Sequence, residues 1–202
     1  PLIKMFCDAG AVVFACDSKS EEQLGECADT AKAYGAKLCL GSDYLSSLNA
    51  DIVFRTPGMN YNHPALVKMR SEGVYVTSEM ELFFELCPCK IIAVTGSDGK
   101  TTTTTIISEL LKKEGYTVHL GGNIGNPLVP VIFDIKEDDF AVVELSSFQL
   151  IFTKKSPFVS VVTNVTPNHL DVHKDMQEYI DAKKNIVLYQ STDNRTVLNQ
   201  SD

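Results

Sequence analysis

The sequence predicts an α/β fold with parallel sheets, laid out as two successive and incomplete units. Short apolar strands alternate with helical stretches along most of the 202 residues, the order expected of parallel strands joined by helical crossovers. One run, "IIAVTGS", is apolar almost throughout, as in a strand buried on both faces of a parallel sheet. A glycine-rich turn follows that run directly and leads into a helix.

Pro1 to Ala9 reads as the end of a short helix, and "AVVFACD" as a buried strand closing on Asp17. A strand ending in a carboxylate is common in Rossmann-like units, where the acid holds a ribose hydroxyl. Glu21 to Tyr34 is helical in composition, and Lys37 to Leu40 is a short strand. "ADIVFRTPGM" is a strand running into a turn at Pro57 and Gly58. His63 to Gly73 reads as a helix with Pro64 in its first turn, "VYVTS" as a strand, and Glu79 to Leu86 as a helix.

Pro88 marks the expected boundary, with residues 1–88 as a Rossmann-like unit and 89–202 as a second α/β unit. In the second, "IIAVTGS" is followed by a helix from Lys100 to Glu114 that Gly115 stops. Strands "YTVHLGG", "FAVVELSS" and "VSVVTNV" come next, then a helix from Asp175 to Tyr189 and a last strand, "TVLN". No glycine-rich turn precedes the first helix, and the alternation is still running at residue 202. Both units are therefore expected to be truncated.

Composition narrows the function. Apolar residues make up 44% and charged residues 22%, as in an ordinary globular chain with a real core. A net charge of −8 argues against a protein that coats nucleic acid, which needs a basic surface. It leaves room for a single nucleotide in a local cationic pocket. No apolar run reaches the roughly 18 residues that span a bilayer, and the N-terminus lacks a signal-peptide stretch. A cytoplasmic protein without membrane insertion is expected. The cysteines, at 7, 16, 27, 39, 87 and 89, form no CxxC pair and read as reduced thiols. Cys87-Pro88-Cys89 is the spacing that also admits metal or redox chemistry.

The strongest signal is Val94 to Thr105, "VTGSDGKTTTTT". Gly96, Ser97, Asp98, Gly99, Lys100 and Thr101 form a shortened GxxGKT phosphate-binding loop between a buried strand and a helix. The glycines let successive N–H groups point inward, and the helix N-terminus adds partial positive charge. Lys100 reaches the β- and γ-phosphates in this motif, and the Thr101 hydroxyl ligates Mg²⁺. A carboxylate beside polyphosphate is repulsive, so the Asp98 side chain is expected to point outward.

Glu144 ends the apolar strand in "AVVELSSFQL", at the edge where open α/β sheets bind ligands. It either meets a cation near Thr101 or caps the following turn. His169, Asp171 and His173 have an H-x-D-x-H spacing that suits a metal or catalytic site and equally suits structural histidines. Oxygen donors dominate the neighbourhood, which favours Mg²⁺ over zinc. His63 and His119 read as structural. Asn123, in "GGNIGNP", is either a ligand contact or part of an ordinary turn. Lys183 and Lys184 read as a solvated basic pair.

"TGSDGKTTTT", "GGNIGNP", "ELSSFQL", "NVTPNHLDVH" and "DAKKNI", in this order, resemble the Mur ligases. "ELSSFQL" with "GNIGNPL" resembles the branch of that family that adds D-glutamate, and "TPGMNYNHPAL" and "SEMELFFEL" extend the similarity into the first unit. The resemblance implies an ATP-dependent amide ligase of peptidoglycan synthesis, joining D-glutamate to UDP-N-acetylmuramoyl-L-alanine through an acyl phosphate, and working as a monomer. It implies that Gly96 to Thr102 hold ATP, with Lys100, His169 and Lys183 catalytic. It implies that Thr101, Glu144, His169 and a carbamylated Lys183 hold Mg²⁺. Asn123, Ser146 and Gln149 would contact substrate or nucleotide. Asp17, Ser18, Thr56 and Gly58 would hold the UDP portion. The family's third domain, which binds D-glutamate, has no counterpart in this sequence, so this chain alone is expected not to ligate. Two other readings remain: a regulatory nucleotide-binding module, and a sister ligase with another acceptor. A dinucleotide oxidoreductase is disfavoured, because no GxGxxG is present.

Overall fold

The computed structural model describes residues 1–46, 48–151, 153–167, 173 and 175–200. The chain divides into two compact units, Pro1–Arg55 with Met59–Val76, and Thr56–Gly58 with Thr77–Asp202.

The first unit holds α1 (Leu2–Asp8), β1 (Phe14–Asp17), α2 (Glu21–Leu24), α3 (Glu26–Ala33), β2 (Lys37–Leu40), β3 (Ile52–Arg55) and α4 (Pro64–Ser71). β4 (Tyr75–Ser78) closes it and runs on into the second unit. β1 and β2 are parallel, with Phe14 opposite Lys37 and Asp17 opposite Leu40. β3 and β4 pair separately, so the described strands of this unit do not merge into a single sheet. The single helix expected from Glu21 to Tyr34 is two helices. Gly25 separates them at φ 49° and ψ −126°, a conformation that glycine adopts without a Cβ clash. Ser20 and Gln23 close a capping box on α2, satisfying N–H groups that its first turn would leave open.

The second unit continues with α5 (Glu79–Leu86), β5 (Lys90–Thr95), α6 (Lys100–Lys113) and β6 (Val118–Gly122). After a 3₁₀ turn over Val129–Asp134 come β7 (Phe140–Glu144), α7 (Ser147–Leu150), β8 (Val159–Val162), α8 (Met176–Leu188) and β9 (Arg195–Leu198). The 3₁₀ turn and α7 were not anticipated from the sequence. Each is a single short turn or two, below the length at which periodicity shows.

Five strands form one sheet in the order β6-β7-β5-β8-β9, parallel throughout. Ala93, Val94, Ala141, Val142 and Val143 on the central strands are wholly buried. Burying a valine side chain this way stabilises by roughly 1.5–3 kcal/mol. α6 packs on β5, β6 and β7, while α8 packs on α7 and β5. The parallel arrangement brings the C-terminal ends of all five strands to one edge. From β5 the chain passes to β6 and β7 on one side, and β8 and β9 then lie on the other. The order thus reverses at β5, and such a switch point opens a crevice for ligands beyond the strand ends.

Candidate functional site

The loop from Gly96 to Gly99 leaves β5 at that switch point. Gly96 has φ 151°, and a Cβ there would stand 1.9 Å from Thr163 Oγ1 and 3.2 Å from the Asn164 backbone. Gly99 takes a left-handed conformation, φ 76°, as the N-cap of α6. No side chain caps α6, and its first turn holds no acid. Its leading N–H groups and dipole are thus suited to an anion.

Asn164, just past β8, holds the loop. Its backbone carbonyl accepts from Ser97 N at 2.9 Å. Its side chain accepts from Asp98 N at 2.9 Å and donates to Asp98 O at 3.2 Å. Thr163 Oγ1 also donates to Asp98 O, at 2.6 Å. Ser97 is buried, its hydroxyl 2.8 Å from Thr166 O and 2.9 Å from the Tyr179 hydroxyl. Asp98 itself is exposed, as charge repulsion from phosphate requires. Lys100 folds back, its Nζ donating to Ser97 O at 2.7 Å.

Thr101 opens α6, and its hydroxyl donates to Glu144 Oε2 at 2.6 Å. Glu144 ends β7 and is 2% exposed. Its other oxygen accepts from Asn123 Nδ2 at 2.9 Å, and its backbone carbonyl from Asn123 N at 2.9 Å. Gly122, paired with Glu144 across β6 and β7, makes this approach possible: a Cβ there would lie 2.3 Å from Glu144 O. Among the described residues Glu144 forms no ion pair. A buried carboxylate held only by neutral donors is costly, and its hard oxygens suit a divalent cation.

Lys183 and Lys184 diverge. Lys184 is exposed and pairs with Asp181 at 3.0 Å. Lys183 turns inward and is 4% exposed, its Nζ 2.8 Å from Gly96 O, 3.3 Å from Thr95 Oγ1 and 4.6 Å from the Tyr179 ring centroid. Burial, with a smaller contribution from the Lys100 charge, lowers its pKa to about 8. The solvated pair expected from the sequence is therefore corrected, because neighbours about 100° apart on a helix cannot share one environment.

Among the other anticipated residues, Thr102 is exposed on the first turn of α6. Ser146 and Gln149 form a capping box on α7, with Ser146 N donating to Gln149 Oε1 at 3.0 Å. Asp17 accepts from Lys19 N at 2.9 Å, next to the exposed Ser18. Thr56 and Gly58 are exposed. His169 and Asp171 lie outside the described residues. His173 is buried, 2.8 Å from Ser147 Oγ and stacked on Phe148. His63 caps α4, and His119 bonds Asp139 at 2.8 Å. Among the described residues, no three His, Cys, Asp or Glu side chains converge as a ready-made metal cluster. The sequence reading passed over Asn164, Thr163 and Tyr179. Their signal was adjacency of β8 and α8 to β5, which spacing along the chain does not carry.

A parallel sheet with a glycine loop at its switch point, followed by a Lys-Thr pair on a helix N-terminus, defines a P-loop α/β protein. Residues 94–202 match the Mur ligase middle domain. The chain is 54% identical, over its whole length, to the UDP-N-acetylmuramoylalanine–D-glutamate ligase of Clostridium tetani, and covers 44% of that protein. It thus spans under half the length of the curated relatives it matches. Its fold resembles the UDP-N-acetylmuramate:L-alanyl-gamma-D-glutamyl-meso-diaminopimelate ligase of Neisseria meningitides, with TM-score 0.57, 17% identity, and 98% of this chain and 66% of that one covered. It also resembles the MurF ligase of Thermotoga maritima in complex with ADP, with TM-score 0.51, 20% identity, and 95% and 46% covered. The chain belongs to the Mur ligase family.

Proposed function

We propose that this chain forms the UDP-substrate unit (residues 1–88) and the ATP-binding unit (residues 89–202) of a cytoplasmic, monomeric ligase. That ligase joins D-glutamate to UDP-N-acetylmuramoyl-L-alanine in peptidoglycan synthesis. The observation that carries the reading is the 2.6 Å contact between the Thr101 hydroxyl and the buried Glu144 carboxylate, beside the phosphate loop. The 54% identity to a D-glutamate ligase supports the choice of acceptor.

A carboxylate is a poor electrophile. Transfer of the γ-phosphoryl group of ATP makes it an acyl phosphate, whose carbonyl the D-glutamate amine can attack. Transfer brings an anion against a polyphosphate, so positive charge must meet both. Gly96 to Thr102 would cradle the phosphates, with Lys100 reaching the transferred group. Thr101, Glu144, His169 and Lys183 as a carbamate would hold Mg²⁺, which supplies charge neutralisation when bound. A free ammonium at Lys183 opposes a cation, whereas its carbamate offers anionic oxygen. A pKa lowered to about 8 supports that reaction, which needs the neutral amine. Asn123 would steady Glu144, and Ser146 and Gln149 would border the substrate. Asp17, Ser18, Thr56 and Gly58 would hold the UDP moiety.

Calorimetric titration tests this. The chain should bind ATP with Mg²⁺, and separately UDP-N-acetylmuramoyl-L-alanine. Lys100→Ala should weaken ATP binding roughly 10- to 100-fold, the loss expected for one charge-assisted contact, without changing UDP-substrate binding. ATP binding with no response to the UDP substrate would instead mark a nucleotide-binding regulatory module.

A further inference from the structure

The opposite edge of the same sheet holds a second chemical feature. α5 ends at Leu86, and Cys87 N donates to Phe83 O at 2.9 Å as the helix closes. Pro88 then carries the chain to Cys89, just before β5. The two sulfurs lie 3.5 Å apart. Cys89 is buried, Cys87 half-buried, and both line a cavity of about 910 Å³. That cavity lies where β5, β7 and β8 begin, at the far edge from the phosphate loop.

We propose that Cys87 and Cys89 form a redox-active dithiol that exchanges with small disulfides entering this cavity, Cys87 attacking and Cys89 resolving. Exposure favours that division, Cys87 being the more open of the two and Cys89 the buried one. Lys155 and Lys90 face the cavity, opposed by Glu137, Asp138 and Asp139. Asp139 is already bonded to His119, and Lys90 lies over the Phe158 ring. The hydrogen bond between the two sulfurs, aided by the Lys155 charge, outweighs burial and lowers the Cys87 thiol to about 7. The shared proton and burial push Cys89 upward. Cys87, the more exposed sulfur and the one with the lowered pKa, is thus the attacking group, and buried Cys89 the resolving one.

In the first step the Cys87 thiolate attacks one sulfur of the small disulfide. A Cys87–sulfur bond forms and one small thiolate leaves. Cys89 then loses its proton to solvent and attacks the Cys87 sulfur, releasing the second small thiolate. The dithiol gives up two electrons, and the small disulfide becomes two thiols. The sulfurs need to close from 3.5 Å to about 2.05 Å for the bond to form.

The test exposes the full chain to glutathione disulfide, blocks remaining thiols with iodoacetamide, and maps the peptides by mass spectrometry. The expected product is an unblocked Cys87–Cys89 peptide lighter than its dithiol form by two hydrogens, formed about tenfold faster than any adduct at exposed Cys27. Cys89→Ser should trap glutathione on Cys87, and Cys87→Ser should leave Cys89 blocked by iodoacetamide. The proposal is overturned if Cys87 and Cys89 are both recovered blocked, if Cys27 reacts as fast, or if Cys89→Ser carries no glutathione.

Discussion

Gly96 and Gly99 have the same role in the motif but different surroundings. A Cβ at Gly96 meets Thr163 Oγ1 at 1.9 Å, whereas one at Gly99 meets nothing within 4 Å. Gly96→Ala should therefore lower stability by about 1–3 kcal/mol, and Gly99→Ala by about 1 kcal/mol, the backbone cost alone. Urea midpoints compare the two directly; equal losses would mean the Thr163 approach is unimportant. Lys183 offers a pH signature. Its folded pKa, about 8, lies below the 10.5 of a free lysine. The unfolded chain thus binds more protons between these values, and stability rises as pH climbs through them. That distance corresponds to roughly 3 kcal/mol. Relative to Lys183→Met, the native chain should gain stability from pH 8 to 10.5 and stay level below pH 7. A pH-independent difference in denaturation midpoints would refute a buried, charge-disfavoured amine.

α8 carries Tyr179 and Lys183 to the loop, so its N-terminus governs more than itself. Asp175 caps it, accepting from Glu178 N at 2.8 Å. Asp175→Ala should cost about 1 kcal/mol in unfolding free energy and weaken ATP binding about 2- to 5-fold, as the helix frays ahead of Tyr179. Loss of stability with unchanged affinity would show that the loop holds without α8. The strands and the longer helices of the second unit, though not α7 or the 3₁₀ turn, were legible from the chain. The break at Gly25 was not, since helical composition on both sides masked a single residue's dihedral.

The two units differ in what they bury. Of the described apolar residues, the first buries Ala28, Ala31, Ala36, Leu66 and Met69, mostly small side chains, around separate two-stranded sheets. The second buries a five-stranded sheet with Ala93, Val94, Val142 and Val143 at its centre. Two-stranded sheets are marginal in isolation. Hydrogen exchange should therefore show amides of β1 and β2 opening at lower free energy than those of β5 and β7. Uniform protection across both units would contradict this. Much of the molecule was readable along the chain. The α/β alternation and the phosphate loop declare themselves through local periodicity and through glycines next to Lys100 and Thr101, all short-range features. What needed the folded chain was the strand order that sets β7 and β8 beside β5. That order joins Glu144 to Thr101, Asn164 to Asp98 and Lys183 to Gly96, across 43, 66 and 87 residues. Such contacts depend on which apolar faces can be buried together, and no local pattern records that choice.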